Sequence, residues 1–245
     1  MWTRKELKMR AKDVLRTSYW KAFLVSLVIA VVSGFSGCSF NSDFGGGGEE
    51  GLFGGMEDVP IAVIVGIIAV AVLAFLLGLA FEIFLRLPLE VGARQYFKQS
   101  AQNDVNMNYL GYSFNKGKYL SIVKGMFWMS FLNFLWFLLL IIPGIVKAYA
   151  YGMVPYILAD NPWIGTRRAV ELSKQMTKGE KWKMFVLDLS FIGWYLLGML
   201  ACFVGILFVL PYVNATKAEL YLTLRRKALE LGLCSREELG VPEEV

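Results

Sequence analysis

The distribution of positive charge along the chain is the feature that most restricts its fold. All but one of the 25 Lys and Arg residues fall in four blocks, at 1–21, 86–124, 160–183 and 217–245, and the exception is Lys147. The stretches between these blocks are almost wholly apolar. Long apolar segments bounded by cationic blocks are typical of polytopic membrane proteins whose cationic loops face the cytoplasm. The sequence therefore predicts an all-α chain whose helices cross a bilayer.

The composition agrees with lipid as the main solvent. Hydrophobic residues make up 56% of the chain and charged residues 18%, whereas soluble domains have about 45–50% and about 25%. The net charge of +5 lies in the predicted loops, so it indicates contact with anionic lipid headgroups rather than with nucleic acid. The chain has no histidine, the commonest general base and metal ligand. We therefore expect no catalytic residue, no metal site and no cofactor.

The first third of the chain predicts a helix on the membrane surface followed by a hairpin. Residues 1–19 have an apolar stripe among Lys and Arg, which indicates a cytoplasmic amphipathic helix. Residues 20–97 predict the first transmembrane hairpin, whose acidic, Gly-rich loop at 38–59 lacks Lys and Arg and is expected outside. The motif Phe35-Ser36-Gly37-Cys38 resembles a lipoprotein cleavage box, but the basic region before it is too long for a signal peptide. An uncleaved span is favoured, and modification of Cys38 stays open.

The middle of the chain predicts a second hairpin. A polar cytoplasmic loop at 98–118 precedes the hairpin at 119–159, which we expect to turn at Pro143-Gly144. Residues 160–181 predict a cytoplasmic amphipathic helix. We expect this helix to begin at Asn161-Pro162, because Asn caps helices and Pro suits the first helical turn.

The stretch 184–210 admits two interpretations, since it is long enough for one span or for part of a hairpin. One span would place the cluster Arg225-Arg226-Lys227 outside. The positive-inside rule therefore favours a third hairpin at 182–224, which turns near Ala201–Gly205 and leaves a cytoplasmic tail at 225–245. The predicted architecture is six transmembrane helices in three hairpins with cytoplasmic amphipathic helices.

A weak internal repeat agrees with three hairpins. Each return helix carries a proline, at Pro88, Pro155 and Pro211, and we expect a helix kink at each. The alternative is coincidence, since proline is common in membrane helices.

Four charged residues at the inner end of the second span form a candidate polar ladder. Glu82, Arg86, Glu90 and Arg94 are spaced by four, so on a continuous helix they share one face. Pro88 leaves the carbonyl group of Phe84 without its usual helical bond. The ladder is either a polar path or gate, or a self-neutralised helix end that snorkels into the headgroups. The second interpretation is favoured.

A second group of polar residues is expected inside the apolar layer. Asp188 would be costly in lipid without a partner, and Lys124, Lys147 and Lys217 are the candidate partners. Asn133, Asn214 and Lys217 add polar groups to the third and sixth spans. They favour hydrogen bonds between helices, and the alternative is a ligand cavity near Pro211.

The C-terminal half carries a resemblance to a known family. The stretch Leu189-Ser190-Phe191-Ile192-Gly193-Trp194 is followed by Gly205, Pro211-Tyr212, Ala215, Ala218 and Tyr221. This pattern, with Arg4-Lys5-Glu6-Leu7-Lys8 and Tyr19-Trp20-Lys21, resembles the bacterial integral membrane family called domain of unknown function nine-seven-five. The resemblance supports the topology above. It implies no catalytic residue, because the family has no established activity.

Two functions follow as hypotheses. The first is a non-enzymatic helper, scaffold or lipid-handling component of the bacterial cytoplasmic membrane, with both termini in the cytoplasm. Its expected partners are the lipid bilayer, anionic lipid headgroups and, as a candidate, another membrane protein. The second is a small gradient-driven transporter or permease subunit, which the proline-containing return helices and the ladder favour.

Overall fold

The computed structural model describes residues 2–37, 61–200 and 204–241, and within these ranges the chain is all-α. The predicted outer loop at 38–59, with Cys38, lies outside the described residues, and so do residues 201–203 of the predicted third turn. The helices are α1 Arg4–Gly37, α2 Ile61–Phe81, α3 Leu87–Ser100, α4 Tyr119–Leu139, α5 Ile141–Tyr151, α6 Val154–Asp160, α7 Thr166–Met176, α8 Lys181–Leu189, α9 Ile192–Leu200 and α10 Val204–Glu230. A π-helical turn, Glu82–Arg86, joins α2 to α3, and a 3-10 helix, Met107–Phe114, follows α3.

Five helical segments of the described chain are long and apolar enough to cross a membrane. They are Arg4–Gly34, Val63–Ser100, Tyr119–Leu139, Ile141–Asp160 and Lys181–Leu200. The predicted all-α fold class is therefore confirmed, and these segments are compatible with a polytopic chain. Helix α10 is not among them, since Asn214, Lys217 and Glu219 interrupt its apolar sequence.

Exposed apolar side chains and buried side chains occupy different parts of the chain. Helix α2, the end of α4 and α9 are covered with exposed Leu, Ile, Val and Phe; Leu138 is 74% exposed and Leu200 84%. Such a surface would be unfavourable in water and suits hydrocarbon. The buried core lies instead where α3, α6, α7 and the second half of α10 meet. In this core Tyr156 and Tyr221 stack with ring centroids 4.9 Å apart.

A charged network ties the core together. The side chain of Asp160, at the end of α6, is 3% exposed and accepts hydrogen bonds from Lys98 of α3 and from Tyr221 of α10. Its Oδ2 atom also lies 3.2 Å from Nη1 of Arg225. Buried charges need such partners, because an unpaired charge in a core is strongly destabilising. The network therefore fixes α3, α6 and α10 relative to one another.

Two helix borders differ from those expected from sequence. The break between α4 and α5 is at Leu140 (φ −162°, ψ 142°), and Pro143 lies in the first turn of α5, where a proline is tolerated. The expected turn at Pro143-Gly144 was therefore misplaced. Asn161 accepts a hydrogen bond from the N–H of Trp163 in a local turn, and α7 begins only at Thr166. Asn side chains form such turns as readily as helix caps.

Helix α1 changes direction at Ser18, whose backbone is not helical (φ −127°, ψ 18°). The Ser18 hydroxyl donates to the carbonyl of Val14, 2.9 Å away. The kink separates the cationic first part of α1 from the apolar second part. Both parts contact α10: Nζ of Lys12 in the first part lies 5.8 Å from the ring centroid of Tyr212, and Tyr19 and Ser26 of the second part form hydrogen bonds with α10. The end of the second part also contacts the π turn, through Ser33.

Candidate functional site

The predicted ladder begins in the π-helical turn. Pro88 has no N–H, and the carbonyl of Phe84 accepts instead from the hydroxyl of Tyr119, 2.7 Å away. The N–H of Leu87 bonds to the carbonyl of Glu82, which closes the wider π turn. The carbonyl that sequence reasoning identified as freed is therefore satisfied by a residue from the next candidate span.

The four ladder residues form two separate ion pairs. Glu82 pairs with Arg86, and Arg86 also donates to Oγ of Ser33, 3.3 Å away. Glu90 pairs with Arg94 at 3.0 Å. Among the described residues no ion pair joins Arg86 to Glu90, so the ladder is interrupted between the π turn and α3. The second pair is the one that faces a cavity.

A cavity of about 360 Å³ lies between the helices, and we name it the interhelix cavity. Four of the five candidate spans and α10 line it. It brings together most of the charged and amide residues that the sequence singled out, namely Glu90, Arg94, Asn133, Asp188 and Lys217. Residues of the predicted ladder and of the predicted intramembrane polar group thus line the same cavity.

The remaining predicted site residues lie near the interhelix cavity or away from it. Pro155 lines it and lies in the first turn of α6, after a break in the helix at Gly152-Met153. Glu82 and Arg86 lie outside the lining, as do Pro88 and Pro211. Pro211 lies inside the continuous helix α10. Asn214 is also outside, but it contacts the cavity residue Arg94.

Asp188 has two partners in the interhelix cavity. Nζ of Lys217 lies 3.3 Å from Oδ1, and the hydroxyl of Tyr149 donates to Oδ2 at 3.1 Å. Of the three lysines considered from sequence, Lys217 is therefore the partner. Nζ of Lys147 lies instead 4.4 Å from the ring centroid of Trp136. The pair joins α8 to α10, so it closes one wall of the cavity.

Arg94 begins a chain of hydrogen bonds that links the cavity to α1. Its guanidinium lies 5.4 Å from the ring centroid of Tyr156 and donates to Oδ1 of Asn214 at 3.1 Å. Nδ2 of Asn214 donates in turn to Oγ of Ser26 at 3.2 Å. Asn214 thus makes hydrogen bonds between helices, as favoured from sequence.

The amide of Asn133 also lies in the cavity lining. Its Oδ1 atom is buried and accepts no hydrogen bond from any residue that the structure describes. A buried acceptor without a donor is unusual in native proteins and calls for an explanation. The Asn133 side chain therefore has an acceptor that lacks a partner in the described chain, although neighbouring atoms cover the oxygen itself.

The C-terminal segment, expected from sequence as a tail, folds back onto the core as far as Val241. Glu238 pairs with Arg168 of α7, with Nη2 and Oε2 3.0 Å apart, and its backbone carbonyl accepts from Nδ2 of Asn161. The hydrogen bond from Arg168 holds the pKa of Glu238 below its usual value, although burial opposes this. A lowered carboxyl pKa means that the contact stabilises the fold at neutral pH and is lost as the pH falls through that pKa.

Comparison with known proteins places the chain in a family. The family model described as "Protein of unknown function (DUF975)" matches residues 106–228, from the 3-10 helix to the last turns of α10. The match includes Asn133, Asp188 and Lys217 of the cavity but not Glu90 or Arg94. No curated protein and no solved structure matches the chain. The chain therefore belongs to the DUF975 family of proteins of unknown function.

Proposed function

We propose that this chain is a multi-pass protein of the bacterial cytoplasmic membrane, with six spans in three hairpins and both termini in the cytoplasm. The five apolar segments support most of these spans. The packing of α9 on α10 supports the sixth, because Gly198 lies against the backbone of Gly205 and Ile206. The cluster at Arg225-Arg226-Lys227 then stays inside, as the positive-inside rule favours.

Labelling of an introduced cysteine tests this topology. Native Cys234 is unsuitable because it is buried and would be protected on either side, whereas its neighbour Ser235 is exposed. In a variant without native cysteines, Ser235→Cys is expected to react with an impermeant maleimide only after the cells are permeabilised. Ser42→Cys, in the predicted outer loop, is the matched control and should react in intact cells. Reaction of Ser235→Cys in intact cells would establish five spans instead.

We also propose that the protein is a non-enzymatic lipid-handling component, and that the interhelix cavity binds the headgroup of a zwitterionic lipid. One observation carries this proposal: two acid–base pairs, Glu90–Arg94 and Asp188–Lys217, face one cavity between largely apolar helices. The four side chains have no net charge. A ligand that carries one phosphate and one ammonium group matches them, since each of its charges meets an opposite charge.

The size and lining of the cavity suit this ligand. A volume of about 360 Å³ accommodates a headgroup such as phosphoethanolamine but not whole acyl chains, which would extend along the exposed apolar faces of the helices. A rotation of the Asn133 side chain would bring its unpartnered Oδ1 into the cavity, where it could accept a hydrogen bond from an ammonium group. Ionisable side chains retained between apolar spans are usually paired or functional, and here they are paired around an open space.

Lipid retention tests the headgroup site. The full chain would be exchanged into nanodiscs that contain phosphatidylethanolamine, phosphatidylglycerol and phosphatidylcholine, and the lipids that stay bound would be counted by native mass spectrometry. We expect Glu90→Gln and Asp188→Asn each to lower retention of phosphatidylethanolamine about tenfold or more, the loss for one charge-assisted hydrogen bond. Glu82→Gln is the matched control, because Glu82 forms the same kind of pair outside the cavity. Equal losses in all three variants, or none, would contradict the proposal.

A gradient-driven transporter or permease subunit is the second candidate. The break at Gly152-Met153, beside Pro155, lies in the wall of the interhelix cavity, and such interrupted helices form the substrate sites of many transporters. If lipid retention is unchanged in Asp188→Asn while vesicles lose uptake of a zwitterionic solute, this candidate replaces lipid handling.

A further inference from the structure

A second and larger cavity lies away from the interhelix cavity and shares no lining residue with it. Its volume is about 1240 Å³, and it opens between the first part of α1, the end of α3, α10 and the C-terminal segment. Four arginines line it, namely Arg10, Arg225, Arg226 and Arg236, and we name it the arginine cavity. None of its lining residues is a candidate site residue predicted from sequence.

Two of these arginines are available to a ligand. Arg225 is held by Asp160 and Arg10 by Glu6. The side chains of Arg226 and Arg236 are exposed and form no hydrogen bond or ion pair with any part of the chain that the structure describes. Guanidinium groups bind phosphate oxygens in pairs, so two free arginines at the mouth of a cavity suit a phosphate group.

The acidic residues of the arginine cavity differ in exposure. Asp13 is largely exposed and lies 3.9 Å from Arg16, and Glu230 is exposed. Glu219 is only 6% exposed, and within residues 2–37, 61–200 and 204–241 its carboxylate takes part in no hydrogen bond or ion pair. The hydroxyl of Thr223 donates to the backbone carbonyl of Glu219 and not to its carboxylate.

The carboxylate of Glu219 can accept a hydrogen bond from a ligand. Arg10 and Arg226 are close enough to act on it electrostatically, but neither donates a hydrogen bond to it. An ionised carboxylate only accepts hydrogen bonds, so a ligand group that binds it must donate. The neighbouring arginines would repel an ammonium group, so a neutral donor such as a hydroxyl group is the better match.

Glu219 and Arg226 face the same cavity from the same helix. They are seven residues apart, which is about two turns, so they share a face about 10 Å apart along the axis. An arginine side chain and a small phosphate ester can together span this distance. The spacing therefore suits one ligand that carries an anionic end and a hydroxyl end.

We propose that the arginine cavity binds a phosphate ester that carries a free hydroxyl group. The phosphate binds Arg226 and Arg236, and the hydroxyl donates to Glu219. Two sources share this chemistry, a soluble phosphorylated polyol and the headgroup of phosphatidylglycerol. The proposal does not depend on lipid binding in the interhelix cavity.

Calorimetry with two probes tests the proposal on the full chain in phosphatidylcholine nanodiscs at about pH 8. Glycerol 3-phosphate has an anionic group and hydroxyl donors, whereas sulfate has an anionic group and no donor. We expect the wild-type chain to bind glycerol 3-phosphate more tightly than sulfate. Arg226→Gln should weaken binding of both probes about tenfold or more, which is the loss for one charged hydrogen bond.

Glu219→Gln distinguishes a loss of hydroxyl recognition from a loss of the folded structure. This variant should weaken the binding of glycerol 3-phosphate about tenfold, because the hydroxyl loses a charged acceptor. The binding of sulfate should be unchanged or tighter, because a negative charge is removed. An unfolded variant would lose both probes alike. Arg16→Gln is the control, since Arg16 is an exposed arginine of α1 outside the arginine cavity, and it should bind both probes as the wild type does.

A competition experiment shows whether the ligand is a lipid headgroup or a soluble ester. If phosphatidylglycerol in the nanodiscs displaces glycerol 3-phosphate, the site takes a lipid headgroup; if it does not, the site takes a soluble ester. The proposal is overturned if the wild type binds neither ligand, if Arg16→Gln weakens binding as much as Arg226→Gln, or if Glu219→Gln changes both probes alike.

Discussion

Asp160→Asn is expected to lower the free energy of unfolding by about 3–5 kcal/mol, the usual cost of breaking a buried ion pair. The side chain of Lys98 is 4% exposed and that of Arg225 13%, and both would lose the carboxylate that compensates their charge. Asparagine has nearly the same shape, so the loss would come from charge and not from a cavity. Thermal or denaturant unfolding of the purified chain in detergent measures it.

Two further variants test the assignment of this loss to the charge network. Asp13→Asn is the matched control, because the Asp13 side chain is 71% exposed, and its effect should be within about 0.5 kcal/mol, as for most surface changes. Lys98→Met combined with Asp160→Asn should recover part of the loss, since the buried ammonium group is then gone. If Asp160→Asn is as stable as Asp13→Asn, the network does not hold the core.

Gly92→Ala is expected to destabilise the chain by about 3 kcal/mol, at the upper end for overpacked sites. A Cβ atom at Gly92 would lie 2.1 Å from the carbonyl oxygen of Leu110 and 3.0 Å from its carbonyl carbon. Both atoms are backbone, so a change of side-chain rotamer cannot relieve the clash. The 3-10 helix would have to move away from α3.

Gly111→Ala is the control for this second prediction. Gly111 follows Leu110 in the same 3-10 helix, and a Cβ atom there would meet nothing within 4 Å. Unfolding measured as for Asp160→Asn should therefore change by less than about 0.5 kcal/mol. A similar loss in both variants would show that the clash at Gly92 is not the cause.

The sequence predicted features that depend on neighbouring residues. The charge blocks identified the all-α class and the apolar segments, and the i,i+4 spacing identified the Glu90–Arg94 pair. The missing N–H of Pro88 predicted that the carbonyl of Phe84 lacks its helical hydrogen bond, and the hydroxyl of Tyr119 supplies the donor instead. Each of these features follows from covalent geometry, hydrophobicity or helical periodicity, which are local properties.

The features that were missed join residues that are distant in sequence. Asp160 contacts Lys98, 62 residues away, and Arg225, 65 residues away. No periodicity marks such a pair, and Asp160 read from sequence is only a polar residue beside a helix start. No pattern in the sequence marks Glu219 as buried, because its burial is set by the packing of α1 and the C-terminal segment. Such contacts require the tertiary fold.

If the chain spans a bilayer as proposed, helix α2 would couple the thickness of that bilayer to the interhelix cavity. Its 21 residues extend about 31 Å, close to the thickness of a hydrocarbon core, and its described side chains are exposed almost throughout. Within the described chain it is attached to the core chiefly through the π turn. A thinner bilayer would increase the tilt of α2 and a thicker one would decrease it, and the movement would pass through α3 to Glu90 and Arg94. Lipid thickness would then alter the cavity without any ligand.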